Sequence, residues 1–353
     1  MYSITNWFKR YFSDPQVVFL AGTLLGLLVV ILFFGNMLVP FIASIIIAYL
    51  LEGLVRALER RKVPRIIAIV VVFSLFLLFL LVVMFGLIPM LTRQLKQLFD
   101  QIPIMIGATQ KALLGLPVQY PEFISKNQVE ELIAAVGSEM AQYGQAVLSL
   151  SWSSVIGLIT VLVYLILVPL LVFFFLKDKR TILEWIRQYL PQDHQLAKKV
   201  WHRMDDQIGN YVRGKFWEIL IVWAATYVTF SLMQVQFSML LSVVIGLSVL
   251  VPFVGAAVVT VPVILIAWYQ FGWTADAAWV VLAHLIIQGI DGNIIVPLLF
   301  SEVVNLHPIA IIVAVLVFGG IWGVWGVFFA IPLATLVHAV LTAWPRHSAE
   351  NPS

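Results

Sequence analysis

Asp291 is a lone carboxylate within an apolar run, Ala277–Leu299, that also carries Gly292, Asn293 and Pro297. A carboxylate at the centre of a membrane-buried helix costs on the order of 2.5–3.5 kcal/mol on insertion scales, so it should face a cavity or a partner. Two roles fit. Asp291 can bind a solute, a proton or a cation, with Asn293 as a neutral ligand beside it. Alternatively it is a hydrogen-bond hub that pins neighbouring helices. His307-Pro308 opens the last apolar stretch, just after Ser301, Glu302 and Asn305. An imidazole there can titrate near neutral pH and gate protons, or it can cap a helix. His284 stands among aliphatic neighbours, which favours packing. Arg213, Lys215 and Glu218 lie where a basic segment enters an apolar one. They form either an electrostatic lip on a transport path or a set of side chains that snorkel to lipid phosphates.

The elements that position these residues are two broken apolar stretches. Residues 239–271 contain no charge and are interrupted by Pro252-Phe253-Val254-Gly255, with Pro262 beyond. Two full crossings need about 40 helical residues, and this stretch has 33. Residues 309–342 are interrupted by Gly319, Gly320, Gly323 and Gly326, with Pro332 following. Each is expected to be a hairpin of half-helices, the first entering from outside and the second from inside; a pair of short spans is the alternative. Helices that stop partway through lipid leave backbone groups unpaired, which is tolerated only against protein or a water-filled cavity. Corresponding Gly/Pro-interrupted segments are a pointer to a transporter binding site. Pro252, Gly255, Gly320 and Gly323 therefore join Asp291 as ligand-site candidates. For Gly320 and Gly323 the competing role is close helix packing.

Composition sets the solvent. The chain is 62% hydrophobic and 11% charged, against about 25% charged in soluble domains, and its mean hydropathy is +1.01. The apolar runs do not alternate as barrel strands do. The expected fold class is all-α, a polytopic transmembrane helical bundle. The absence of cysteine removes disulfides, thiol chemistry and thiolate metal sites. A net charge of +3, held in short loops, orients a membrane protein and does not point to nucleic acid.

The expected organisation follows the chain. Residues 1–90 hold an amphipathic interface helix at 1–16 and three spans, near Val17–Phe34, Met37–Leu54 and Ile66–Met90, with an outward turn at Gly35-Asn36. The loop from Arg56 to Arg65 is densely basic and so cytoplasmic. Residues 91–152 carry four Lys/Arg against five Asp/Glu and a helical apolar pattern, Leu91, Leu95, Leu98 and Ile102, divided by Pro117 and Pro121. They read as a small periplasmic helical insert. A fourth span occupies 153–176. Residues 177–215 form a cytoplasmic helical segment with nine Lys/Arg against five Asp/Glu. Residues 216–345 form the transport core, and 346–353 a cytoplasmic tail, so both termini are expected in the cytoplasm. The N-terminal apolar run lacks a small-residue cleavage site and is expected to be retained.

No metalloprotease, nucleophile-elbow, P-loop or dinucleotide fingerprint occurs, so no catalytic residue, metal or cofactor is expected. Active transport would draw on an ion gradient or a separate energising partner.

Several runs together resemble the autoinducer-2 exporter family. They are Gly209-Asn210-Tyr211-Val212-Arg213-Gly214-Lys215, Pro252-Phe253-Val254-Gly255-Ala256, Asn293-Ile294-Ile295-Val296-Pro297, His307-Pro308 and Ala330-Ile331-Pro332-Leu333. The resemblance covers nearly the whole chain and is strongest after residue 205. It implies an inner-membrane transporter of seven or eight spans, lipid-embedded and homo-oligomeric. It also implies either export of a small polar signal such as autoinducer-2 or sodium or lithium/proton antiport. It adds weight to Pro252, Gly255, Asn293, Pro297, His307 and Pro308. A scaffold that uses the insert for docking, without transport, is the contrasting class.

Overall fold

A computed structural model of the chain describes residues 15–119, 154–188, 195–252, 254–300 and 307–343. Among the described residues there is no strand. The long apolar segments are helical because a helix satisfies its backbone polar groups within itself. The helices in chain order are α1 (Pro15–Arg60), α2 (Arg65–Val82), α3 (Ile88–Gln119), α4 (Ser154–Lys177), α5 (Lys179–Gln188) and α6 (Gln195–Leu232). They continue with α7 (Ser238–Ser248), α8 (Val254–Phe271), α9 (Ala275–Ile290), α10 (Val296–Phe300), α11 (Pro308–Phe328) and α12 (Ala330–Ala343). π-helical turns at Val83–Leu87 and Asp291–Ile295 join α2 to α3 and α9 to α10. Among the described residues, four helices are long and apolar enough to cross a membrane: Met37–Arg60, Arg65–Met105, Val254–Phe271 and Ala275–Phe300.

The expected turn at Gly35-Asn36 does not form. α1 runs through it as one helix of 46 residues, about 69 Å at ~1.5 Å per residue. Gly35 is buried because the Trp322 indole packs on it, and a Cβ there would collide with that ring. The glycine marks a close approach between α1 and α11. The interface helix expected at 1–16 lies almost wholly outside the described residues.

The segment expected to begin at residue 91 is continuous with the helix before it. The helix of the third span continues through the π turn into α3, and Pro117 sits near the end of α3 without breaking it. Residues 120–153 lie outside the described residues. α3 reaches back to the core: Gln94 Oε1 accepts from the Leu240 N–H at 2.8 Å, one of the free donors in the first turn of α7.

The basic loop closes one end of the bundle. Lys62 takes a left-handed φ of 65° and Pro64 starts α2. Glu52 of α1 is buried and gathers Arg56 at 3.4 Å, Arg65 at 3.2 Å and Lys179 at 3.2 Å. Arg65 also donates to the Leu176 carbonyl at 3.1 Å, capping α4. Beneath this clasp an apolar cluster that includes Val55, Val72 and Val172 packs α1, α2 and α4 together. A second cluster, with Phe230, Ile245, Val263 and Val280, joins α6, α7, α8 and α9.

Both broken stretches fold back at glycines. α7 has 11 residues, about 16 Å at ~1.5 Å per residue, roughly half of a hydrocarbon core. The chain reverses between α7 and α8, and a Cβ on Gly255 would overlap the Ser248 carbonyl oxygen. In the second stretch the reversal falls inside α11. Gly323 has φ 60°, ψ −138°, a conformation close to glycine-only territory. A Cβ on Gly326 would overlap the Phe318 carbonyl oxygen. The two hairpins thus share one device, a glycine on the returning arm against a carbonyl of the outgoing arm.

Candidate functional site

Helical spacing builds the site from two helices. On α6, Tyr211, Lys215 and Glu218 stand at i, i+4 and i+7, on one face. On α9 and its π turn, His284, Gln288 and Asp291 repeat that spacing. Pro297 has no N–H and crowds the carbonyl four residues back, which is Asn293 within the π turn. The loosened ladder accommodates the wide turn that begins at Asp291. Such π turns are frequent at functional sites.

These faces line a cavity of about 470 Å³, together with Val249, Val251, Pro252 and Ala256 of the first hairpin and Ile311 and Ile331 of the second. The volume lies within the roughly 300–1,000 Å³ usual for small-molecule sites. Both hairpins therefore contribute walls, and α6 and α9 contribute the charge.

Lys215, 5% exposed, and Glu218, 1% exposed, form an ion pair at 2.8 Å. Lys215 Nζ donates to Glu218 Oε1 at 3.0 Å and to the Val249 carbonyl at 2.8 Å. It also lies 5.3 Å from the centre of the Phe300 ring, a cation–π contact. A buried ammonium is tolerated when paired and hydrogen-bonded in this way. Asp291, 8% exposed, has no such partner among the described residues: its Oδ1 is buried without a hydrogen bond to them. Gln288 Nε2 is likewise unsatisfied. Two carboxylates and one ammonium leave the lining formally at minus one. A buried acceptor and a buried donor stand ready for a polar guest.

Tyr211 ties the second hairpin to α6, donating to the Phe328 carbonyl at 2.9 Å, with its ring edge-on to Phe328 and tilted against Phe300. The Phe328 carbonyl is next to the break at Phe329, so Tyr211 satisfies a backbone group that the break exposes.

The structure brings Asp291, Lys215, Glu218, Pro252 and Pro297 to one cavity and leaves other candidates outside it. Asn293 is exposed and donates to the Gly289 carbonyl of its own helix at 2.8 Å. His307 is exposed at the N-cap of α11, where Nδ1 accepts from the Ile309 N–H at 3.3 Å. Pro308 is the first residue of α11, the position that suits its fixed φ. Arg213 is exposed, bonds to Asn210 at 2.8 Å and lies over the Tyr49 ring. Gly255 supports the first hairpin from behind. Gly320 and Gly323 are exposed at the second tip. Sequence reasoning missed Gln288 and the cavity-side role of Tyr211. The signal for Gln288 was present: His284, Gln288 and Asp291 form the polar stripe of an otherwise apolar helix.

A family model described as AI-2E family transporter matches residues 21–346. PerM of Escherichia coli (strain K12), named a candidate permease, is 42% identical over 342 residues, 97% of each chain. YueF of Bacillus subtilis (strain 168), named a candidate transport protein, is 24% identical, covering 88% of this chain and 84% of the relative. The AI-2 transport protein TqsA of Escherichia coli (strain K12) is 22% identical over 92% of this chain and 91% of the relative.

Proposed function

The chain belongs to the AI-2E transporter family, and from that premise we propose that it is a secondary transporter of the bacterial inner membrane. It moves a small polar solute through the cavity around Asp291. The observation that carries this reading is the pair of unsatisfied polar atoms, Asp291 Oδ1 and Gln288 Nε2, on the wall of a cavity bounded by two hairpins. The short arm α7 stops partway through the layer, and the breaks of the two stretches shelter a wet pocket. A signal of the autoinducer-2 kind is the first solute to test, because a relative across most of the chain carries that name. A polyhydroxylated furanone would take hydrogen bonds from Gln288 and give them to Asp291.

A second reading, cation/proton exchange, is favoured by the charge of the lining. Lys215 acts there as a built-in cation, held by Glu218 and the Val249 carbonyl. An incoming sodium or lithium ion would compete with it for carboxylate oxygens. Transport assays on the purified full chain in liposomes separate the two. Autoinducer-2 counterflow without sodium or lithium dependence supports the first reading. Proton release driven by sodium or lithium, with no furanone flux, supports the second. Neither flux in active-folded protein would sink both, and would favour the scaffold role.

A further inference from the structure

The polar face of α9 does not end at the cavity. His284 lies two turns from Asp291 on that face, about 10 Å along the axis at ~1.5 Å per residue. It is 0% exposed. Its Nε2 is 3.1 Å from Thr260 Oγ1 of α8. Thr260 has one hydroxyl hydrogen, and that hydrogen is given to the Ala256 carbonyl at 2.7 Å. The Thr260 oxygen can then only accept from His284, so Nε2 carries the ring proton. In the neutral ring Nδ1 is therefore a bare lone pair, and it has no partner. Gln288 Nε2, one turn nearer the cavity, is a donor without an acceptor, and the fully buried Thr226 hydroxyl of α6 is also unsatisfied. A bare acceptor on a helix face that also carries a free donor, with a free hydroxyl on the helix packed against it, is an environment that can hold buried water.

We propose that His284 is a proton-carrying station, linked to the Asp291 cavity by buried water. This deepens the transport reading above and rests on it. A proton passed from water to Nδ1 makes the imidazolium and leaves hydroxide to be neutralised along the water chain. Its return to water restores the starting ring. Only N–H and O–H bonds form or break. Of the charged residues on the helices packed with α9, the buried ones lie toward the cavity: Lys215 and Glu218 on α6 and Asp291 at the end of α9 itself. The other charged residues of α6, Lys198, Lys199, Arg203, Asp205, Asp206 and Arg213, all precede Lys215 in the chain; α8 has no charged residue, and Asp276 stands exposed in the opposite end turn of α9. Proton exchange at His284 is thus biased toward the Asp291 side.

The test is ring-nitrogen NMR of the full chain with labelled histidine in lipid nanodiscs, with His284→Gln used to identify the resonance. Gln keeps an N–H near the Nε2 position for Thr260 but cannot carry a proton. The expected result is the Nε2–H tautomer at high pH and reversible ring protonation between about pH 9 and about pH 5. Asp291→Asn is expected to shift the midpoint. A ring that stays neutral across that range, or one that holds its proton on Nδ1, overturns the proposal. A second readout is proton uptake into pyranine-loaded liposomes under a potassium diffusion potential. Loss of uptake in His284→Gln, with wild-type thermal unfolding, supports the station; unchanged uptake overturns it. Solute flux through Asp291→Asn reports on the cavity reading, whereas ring titration reports on His284, so the two failures are told apart.

Discussion

Lys215 binds Val249 across helices: its Nζ donates at 2.8 Å to the carbonyl at the end of the short helix α7. The same ammonium holds Glu218. One charged group therefore neutralises a carboxylate on α6 and satisfies a backbone acceptor left open by the break of the first hairpin. The charge of the cavity and the position of its wall are coupled at this atom.

Lys215→Met is expected to destabilise the protein by about 3–5 kcal/mol, the usual cost of leaving one partner of a buried pair alone. The double variant Lys215→Met/Glu218→Gln should recover part of that loss, because no uncompensated charge remains. Thermal unfolding in detergent gives the cycle. A loss in the double variant equal to the sum of the losses in Lys215→Met and Glu218→Gln would show that the pair is not coupled. Transport should stay impaired in both, since the Val249 carbonyl has lost its donor.

Asp291→Asn is nearly isosteric and removes charge from a residue that makes no ion pair among the described residues. Insertion and folding should be preserved, while flux falls by about tenfold or more, a loss of roughly 1.4 kcal/mol in transition-state binding. Initial rates in liposomes at matched protein density provide the check. Wild-type rates would remove Asp291 from the transport path.

Ala256 lines the cavity, whereas Val259, one turn on along α8, is buried in the apolar cluster at 4% exposure. The chain has no native cysteine, so single cysteines report cleanly. Ala256→Cys should react with a membrane-impermeant thiol reagent, and Val259→Cys should not. Protection of both would mean that the cavity is dry.

What was legible in the sequence followed from energetic extremes. A carboxylate in an apolar span must be sheltered, and Asp291 lines the cavity. Proline and glycine clusters stop helices, and the chain breaks between Ser248 and Val254 and at Gly323. Less legible was anything decided by a partner distant in sequence. Glycine permits both a turn and a close contact, and no local signal told Gly35 that Trp322 would arrive from the other end of the chain. Asn293 and His307 looked like ligands by residue type. Their side chains are taken by local backbone groups instead, a competition that Asn and helix-capping residues commonly win. Lys215 and Glu218 read equally well as interface residues, because spacing alone does not say whether α6 turns that face to lipid or to α7.

The close approach at Gly35 makes a last prediction that tests the unbroken first helix. At an exposed turn, Gly35→Ala would be tolerated or mildly unfavourable. Against the Trp322 ring, the added methyl must displace a large side chain, and overpacking of this kind costs about 1–3 kcal/mol. Replacing the ring by a smaller apolar group should relieve the clash. Gly35→Ala/Trp322→Leu is therefore expected to be more stable than the sum of its single effects allows, a positive coupling on the order of 1 kcal/mol in a double-mutant cycle. Gly292, which has open space around its Cα, supplies the control: Gly292→Ala should show no coupling to Trp322. Additive behaviour of Gly35 and Trp322 would mean that the two do not touch, and that the chain turns between the first two apolar runs after all.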